Sequence, residues 1–360
     1  MPTRRDFFKT AAAIAPLVAR GSVSSKKKSC IFLMLVGGPS QLDTWDPKPD
    51  APSHIRSPYR PIKTNVAGIE ISELFPRMAR HADKYALIRS CYHDGEPVHE
   101  IGQQLVQTGH VFEDDAGHPH IGCVVAAEAP QNRGGASFSL RGALAPPCYI
   151  LPSPIGNTGC GHLAHGQTRG YLSIDHNPRI VRPASYNPKY GPTRFGQSVA
   201  QAFQLISTGQ ARFVTVNMFD TVFGEPTWDM HGSAPFSPMS AYRDHVGPMF
   251  DIAYSALLED LHNSGCLDDT LVVATGEFGR KPRINPAGGR DHWPECWTML
   301  MAGGGVQGGQ VVGESDRHAA EPRDRPVHAT EIVASVYHAL GVDHTKWLSP
   351  GTRPVMELFG

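Results

Sequence analysis

The feature that most constrains the fold of this chain is a short apolar run, Leu271 to Ala274, together with the polar residues that follow it. The run is rich in β-branched residues, lacks helical spacing and stops at Gly276, so it predicts a buried strand. Glu277 comes immediately after that stop. In open α/β sheets, ligands bind beyond the carboxyl ends of the strands. Glu277 is therefore placed where a metal ligand or a general base is expected.

A second polar group precedes the next apolar run, at residues 298–302. The glycine pair at 288–289 lets the backbone turn tightly and is followed by Arg290, Asp291 and His292. A guanidinium, an acid and an imidazole are thereby delivered together, next to a predicted strand. Core packing alone does not explain this order of residues.

Apolar runs that predict strands alternate with amphipathic segments that predict helices along the whole chain. The predicted strands are 30–36, 85–88, 148–151, 213–218, 271–274 and 298–302. The predicted helices are 72–82, 100–108, an apolar helix within 114–127, 195–208, 246–263 and 330–340, the last with Thr330 as its cap. This alternation predicts one α/β domain with a largely parallel central sheet and helices on both faces.

Composition narrows the function classes. The 360 residues carry a net charge of −1, which argues against a nucleic-acid partner or a polybasic membrane surface. The 18 histidines favour a metal or acid–base site. The 7 cysteines show no Cys-x-x-Cys spacing, which argues against a zinc ribbon or a thioredoxin site. Cys148 and Cys160 flank a Pro/Gly loop and could form a bridge in an exported protein.

The first 28 residues predict an export signal rather than a folded element. Arg4 and Arg5 precede an apolar run from Ala11 to Ala19, an arrangement that resembles the twin-arginine signal of bacteria. The run is too short to cross a bilayer, and no later segment reaches that length. The sequence therefore predicts one mature domain over 29–360 without a transmembrane segment. The twin-arginine machinery would deliver it to the periplasm or the outside.

Acidic and histidine residues recur where predicted strands end. Asp43 follows the first strand on a glycine-rich loop, and Asp229 and His231 follow the strand at 213–218. A single loop aspartate is more often an Asx-turn or a helix cap, so the joint placement is what indicates a site. Carboxylate and imidazole together suit zinc, manganese or iron, and calcium or magnesium are alternatives on the carboxylate side. The predicted metal ligands are Asp43, Asp229, His231, Glu277, Asp291 and His292.

The motifs GGPSQLDTWDPKP, EFGR and GRDHW resemble an exported family of the alkaline phosphatase and sulfatase superfamily, the domain of unknown function 1501. The resemblance runs from about Cys30 to the C-terminus. It implies an alkaline phosphatase-like three-layer sandwich with one or two divalent ions. Asp43 matches the first-strand metal ligand and His292 matches a later histidine ligand. Glu277 and Phe278 stand where better-known members have an Asp-His pair, which removes one imidazole.

The resemblance also suggests catalytic residues. His99 lies near the start of the helix that ends at Thr108, where the superfamily nucleophile is expected, and it could be nucleophile, acid–base catalyst or metal ligand. Arg280 or Arg290 would stabilise developing negative charge, with a structural ion pair as the equal alternative. No Cys-x-Pro-x-Arg or Ser-x-Pro-x-Arg motif occurs, which argues against a formylglycine sulfatase.

Two function classes follow from these residues. The first is an exported metal-dependent hydrolase of phosphate or sulfate esters, acting on a small-molecule or glycan ester. Two ions roughly 4 Å apart would form the clamp used in phosphoester hydrolysis. The second is a non-catalytic protein of the same fold that binds an extracellular glycan or another ligand. A mutase or transferase of the superfamily is a third hypothesis, and the predicted export signal argues against it.

Overall fold

The computed structural model describes residues 28–111, 118–128, 148–151, 186–223 and 225–360. The predicted export signal lies outside the described residues except for Lys28. Cys160, one half of the predicted Cys148–Cys160 bridge, also lies outside them. None of the helices in the described ranges has the length and apolarity that crossing a membrane requires.

The described ranges contain both α-helices and β-strands. The strands are β1 (Ser29–Met34), β2 (Pro61–Lys63), β3 (Glu70–Ser72), β4 (Tyr85–Tyr92), β5 (Cys148–Leu151), β6 (Phe213–Asn217), β7 (Thr270–Thr275), β8 (Gly279–Arg280), β9 (His292–Trp293), β10 (Trp297–Ala302), β11 (Gln310–Val312), β12 (Glu314–Ser315), β13 (Pro322–Asp324) and β14 (Val327–His328). The α-helices are α1 (His99–Thr108), α2 (Ile121–Ala127), α3 (Arg194–Ser207), α4 (Gly247–Asn263) and α5 (Ala329–Ala339). A π-helical turn at Tyr242–Val246 leads into α4.

The central sheet has the strand order β11-β4-β10-β7-β1-β6-β5, with β14 also paired to β4. β1 runs parallel to both of its neighbours, β6 and β7. β10 is antiparallel to both β4 and β7. The prediction of an α/β fold with a mostly parallel sheet is therefore confirmed.

β1 is the middle strand of this parallel part, and every one of its residues is buried. Its continuous apolar sequence is typical of a strand covered on both faces. The register places Met34 beside Asn217 of β6 and beside Thr275 of β7. The carboxyl ends of three parallel strands therefore meet at one edge, and the loops that follow them start there.

The helix ends follow from local chemistry. α1 stops at Gly109, whose left-handed conformation turns its N–H onto the carbonyl of Leu105. α5 starts from a capping box in which the His328 side chain accepts from Thr330 N and Glu331 accepts from His328 N. The predicted cap, Thr330, is therefore wrong by two positions. The helices form two contact groups, α3 with α4 and α5 with α1 and α2.

The helix predicted over 72–82 is wrong. Ser72 ends β3, which pairs with β2, and two short 3-10 helices follow at Met78–Arg80 and Ala82–Lys84. The Asp251 carboxylate on α4 accepts the backbone N–H groups of Arg77 and Met78. A distant side chain thus fixes the start of the first 3-10 helix, and tertiary contacts override the local helical spacing.

Candidate metal centre

The loops after β1, β6 and β7 meet the first turn of α1 at the carboxyl edge of the sheet. Gly37, in the loop after β1, has φ +107°, and a Cβ there would lie 2.5 Å from the backbone nitrogen of Asp229. Gly102 of α1 approaches the loop after β7 as closely, since a Cβ would lie 2.5 Å from the Glu277 carbonyl oxygen. Two glycines therefore allow the backbones to converge and bring their polar side chains together.

Asp229 is the centre of the polar cluster, and its side chain is completely buried. Its Oδ1 lies 3.0 Å from His231 Nε2 and 3.1 Å from His292 Nε2. Its Oδ2 faces His99 Nε2 at 3.6 Å. The two nitrogens of His231 and His292 are themselves 3.1 Å apart. The Nε2 atoms of all three histidines therefore point at the Asp229 carboxylate.

The other ring nitrogen of each histidine faces an oxygen of a residue other than Asp229. His292 Nδ1 lies 2.7 Å from the carbonyl oxygen of Pro97. A carbonyl only accepts, so His292 Nδ1 donates and the neutral ring has its lone pair on Nε2. His99 Nδ1 lies 2.5 Å from Glu277 Oε1. Metal-binding histidines are held in this way, with one nitrogen fixed by an oxygen and the other free for the ion.

The third histidine follows the same pattern at longer range. His231 Nδ1 lies 3.5 Å from Asp291 Oδ1, and Asp291 also accepts from Asn285 Nδ2 at 3.0 Å. Asp291, a predicted metal ligand, therefore lies behind His231. It is placed to orient that ring rather than to face Asp229.

Several buried polar atoms of the cluster have no hydrogen-bond partner: His99 Nε2, Asp229 Oδ2 and Glu277 Oε2. An unsatisfied buried polar atom costs about 1–3 kcal/mol, so native structures rarely leave such atoms together. His99, Asp229 and His292 offer ligand atoms that all lie within 4.8 Å of one another. The donor set of imidazole nitrogens and carboxylate oxygens is the one preferred by zinc, manganese or iron. The residues present therefore fit a divalent cation.

The electrostatics of Asp229 and His292 suit this role, whereas His99 holds a proton in the metal-free centre. Burial raises the pKa of Asp229, but contacts with the three histidines and Arg280 outweigh burial and hold that pKa well below its usual range. Burial lowers the pKa of His292 in spite of its contact with Asp229. Burial also lowers the pKa of His99, but the Asp229 and Glu277 carboxylates outweigh it and raise that pKa to about 9. An ionised carboxylate and a neutral imidazole are the forms that bind metal, so an ion would have to displace the proton that the two carboxylates hold on His99.

Arg280 supplies a fixed positive charge beside the centre and is completely buried. Its Nη2 donates to Asp229 Oδ1 at 2.5 Å and also to the carbonyl of Gly37. Nη1 faces the Arg290 carbonyl at 3.1 Å and His231 Nε2 at 3.4 Å, and Nε donates to the Gly38 carbonyl. A guanidinium has five N–H donors, and the fifth finds an acceptor in His231 Nε2 only while that nitrogen binds no ion.

Arg290 pairs with Asp43 in a second buried group. Nε donates to Asp43 Oδ2 at 2.7 Å, and the four remaining N–H groups face Asp43 Oδ1 and the carbonyls of Lys281, Pro282 and Ile55. Ser40 Oγ donates to the same carboxylate at 2.5 Å. Within the described residues, no hydrogen bond or ion pair joins Asp43 or the Arg290 side chain to the three histidines.

The structure thus brings most of the predicted site residues together and separates two of them. The cluster contains His99, Asp229, His231, Glu277, Arg280 and His292, with Asp291 behind it, while Asp43 and Arg290 pair with each other. Sequence reasoning missed Gln41, whose side chain bonds both the N–H and the carbonyl of Arg280, each at 2.9 Å. Its place inside the GGPSQLD motif was the available signal. The contact with the Pro97 carbonyl could not be predicted from the sequence, because every residue type has a backbone carbonyl.

The first of two similar solved structures supports the fold. The BT33494S-sulf protein of Bacteroides thetaiotaomicron, described with the metabolism of multiple glycosaminoglycans, matches with a TM-score of 0.51 at 12% identity over 93% of this chain and 76% of that chain. The phosphonate monoester hydrolase SpPMH from Silicibacter pomeroyi matches with a TM-score of 0.48 at 12% identity over 92% and 76%. At such identity, the first likeness shows a shared sulfatase-type fold and nothing about activity.

Sequence comparison assigns the chain to a family. No curated protein sequence matches it. A family model described as "Protein of unknown function (DUF1501)" matches residues 27–176 and 179–358. Because these two ranges span nearly the whole chain, the protein belongs to the DUF1501 family.

Proposed function

We propose that the protein is a metal-dependent hydrolase of phosphate or sulfate esters. The observation that carries the proposal is the convergence of three imidazole Nε2 atoms on the buried Asp229 carboxylate. His99, His231, His292 and Asp229 would hold the ion. When bound, the ion would polarise an ester oxygen and favour attack by water. The similar solved structure with a TM-score of 0.51 is described with the metabolism of glycosaminoglycans, which is consistent with a glycan ester as substrate.

The chain's own residues have separate roles in this proposal. Glu277 orients His99 through Oε1, and its unpartnered Oε2 is the carboxylate oxygen left to accept a proton from water. Within the described residues, no Ser, Thr or Cys side chain bonds to the three histidines. The proposal therefore assigns direct hydrolysis by water, without a covalent intermediate on a hydroxyl or thiol. His99, His231 and His292 remain 18%, 22% and 18% exposed, which leaves the centre accessible to an ester.

The proposal also includes the layer arrangement of the fold and the location of the protein in the cell. The two helix groups support an alkaline phosphatase-like three-layer sandwich with the sheet in the middle. Arg4 and Arg5 support export by the twin-arginine route, which moves folded proteins and would allow the ion to be loaded first. The substrate would then be a small-molecule or glycan ester outside the cytoplasm.

A non-catalytic ligand-binding protein is the second candidate. Protein acceptors satisfy every N–H group of Arg290, and at most one N–H of Arg280 is released when His231 Nε2 holds the ion, so few donors are left for an ester oxyanion. An enzyme of this class normally aims such donors at developing charge. This observation favours a centre that binds a ligand through its ion without turning it over.

Metal content and turnover, measured together, test the proposal. Protein purified without chelator would be analysed by elemental mass spectrometry and then assayed with aryl phosphate, phosphodiester, phosphonate and sulfate esters. We expect bound transition metal and ester hydrolysis in the wild type, and loss of both in Asp229→Asn. The exposed Asp244→Asn is the matched control. Metal without turnover on any ester would favour the binding protein, and a wild type that cannot be loaded with zinc or manganese would refute both.

A further inference from the structure

We infer that the centre holds a single divalent ion, because Arg290 occupies the Asp43 carboxylate and Arg280 occupies one oxygen of Asp229, the two places where a second ion would bind. The inference rests on the proposed metal-dependent function. It concerns the number of ions, which the presence of a site does not determine.

The first argument is the state of Asp43. A second ion would need a carboxylate of its own, and Asp43 follows β1 where such a ligand was predicted. Both of its oxygens are engaged by the Arg290 guanidinium, and one of them also accepts from Ser40. Asp43 and Arg290 are both 0% exposed. An incoming ion would have to displace a buried guanidinium whose other donors are bound to backbone carbonyls.

The second argument is the asymmetry of Asp229. A carboxylate can bridge two ions through its two oxygens, but Oδ1 of Asp229 already lies 2.5 Å from Arg280 Nη2. Only Oδ2 lacks a hydrogen-bond partner. Gln41 holds the Arg280 backbone, and the carbonyls of Gly37–Gly38 hold its side chain. Arg280 therefore cannot withdraw without breaking contacts on every side.

The third argument is charge balance. The buried carboxylates of this region are Asp43, Asp229 and Glu277, and the buried guanidinium groups are Arg280 and Arg290. With all three histidines neutral, as metal ligands must be, one negative charge is left uncompensated. One divalent ion would turn this into a single positive charge, which suits an anionic ester. Two divalent ions would leave three positive charges in a buried site, at a large desolvation cost.

Binding stoichiometry tests the inference without any activity assay. Metal-free wild type would be titrated with Zn²⁺ and, separately, with Mn²⁺ by isothermal titration calorimetry, and the ion count would be confirmed by native mass spectrometry. We expect one ion per chain for each metal. Two ions bound within tenfold of each other in affinity would overturn the inference and leave the proposed function standing. No bound ion would instead refute the proposed function.

A charge-balanced variant provides the second measurement. Asp43→Asn combined with Arg290→Gln removes both members of the buried pair, so no unpaired charge is left behind. We expect this double variant to bind one Zn²⁺ with an affinity within about threefold of wild type. A loss of tenfold or more in a variant with wild-type circular dichroism would show that Asp43 serves the ion and would overturn the inference. Asp229→Asn, which should lose the ion, is the positive control.

Discussion

Arg290 donates to Asp43 across 2.7 Å, and neither side chain is exposed to solvent. Removing one partner of such a pair leaves a buried, uncompensated charge, at a cost of about 3–5 kcal/mol. We therefore expect Asp43→Asn to lower the free energy of unfolding by that amount, measured by urea denaturation. The metal content of the folded variant should stay at the wild-type value.

The matched control for that variant is Asp50→Asn, because Asp50 is exposed in the following loop. Substitutions at such surface positions usually change stability by less than about 0.5 kcal/mol. If Asp43→Asn were as mild as the control and lost metal instead, Asp43 would be a ligand, and Arg290 would not be its structural partner.

Gly102 is expected to be indispensable for metal binding, although it is no ligand. A Cβ at this position would lie 2.5 Å from the Glu277 carbonyl oxygen and 2.9 Å from Glu277 Cβ. Alanine is the better helix former by about 1 kcal/mol, so propensity alone would stabilise α1. The clash with backbone is the larger effect, and it should push α1 and its His99 away from Asp229.

We expect Gly102→Ala to weaken Zn²⁺ binding at least tenfold in calorimetry while the protein stays folded. Gln103→Ala, on the same helix and half-buried, is the control and should bind as wild type does. Unchanged affinity in Gly102→Ala would mean that His99 is not a ligand, or that α1 adjusts without moving it.

Glu277 is expected to act on the ion through His99. Its Oε1 is shared by His99 Nδ1 at 2.5 Å and by the Gly37 N–H at 2.9 Å. Loss of a carboxylate that orients a ligating histidine typically costs 10–100-fold in metal affinity. Glu277→Gln should show a loss in that range by competition with a chelating dye, and Glu100→Gln, exposed beside His99, should show none. A complete loss of binding would identify Glu277 as a direct ligand.

The sequence predicted the strands and the helix that position the centre, because these elements depend on local sequence patterns. The residue order shows the apolar runs of β1 and β7 and the glycine at which α1 ends. Their parallel pairing brings the residues after each strand to one edge, so Asp229 and Glu277 could be placed near His292 before any coordinates.

The partners of the two arginines could not be predicted in the same way. Arg280 is held by the Gly37 carbonyl and Arg290 by the Ile55 carbonyl, more than two hundred residues away in each case. A backbone acceptor carries no residue signature. The false helix over 72–82 has a related cause, since a carboxylate on α4 determines the local conformation.

That carboxylate belongs to Asp251, which is 3% exposed and accepts from Met78 N at 2.8 Å and from Arg77 N at 3.0 Å. Burial raises the pKa of Asp251 to about 6, and the bonds from the two backbone N–H groups only partly offset that rise. In the unfolded chain the same carboxyl titrates near 3.8. The native state therefore binds this proton more tightly than the unfolded chain does.

The sign of the resulting pH dependence follows from that difference. The stabilisation is fully present below about pH 4 and is lost as the pH rises through about 6, to a total of roughly 3 kcal/mol. Asp251→Asn is neutral throughout, so its stability relative to wild type should rise by up to that amount between pH 4 and 7. Urea denaturation of both proteins at each pH unit measures the difference, and all other titrating groups cancel. A difference that stays constant with pH would mean that Asp251 is already ionised in the native state at pH 4.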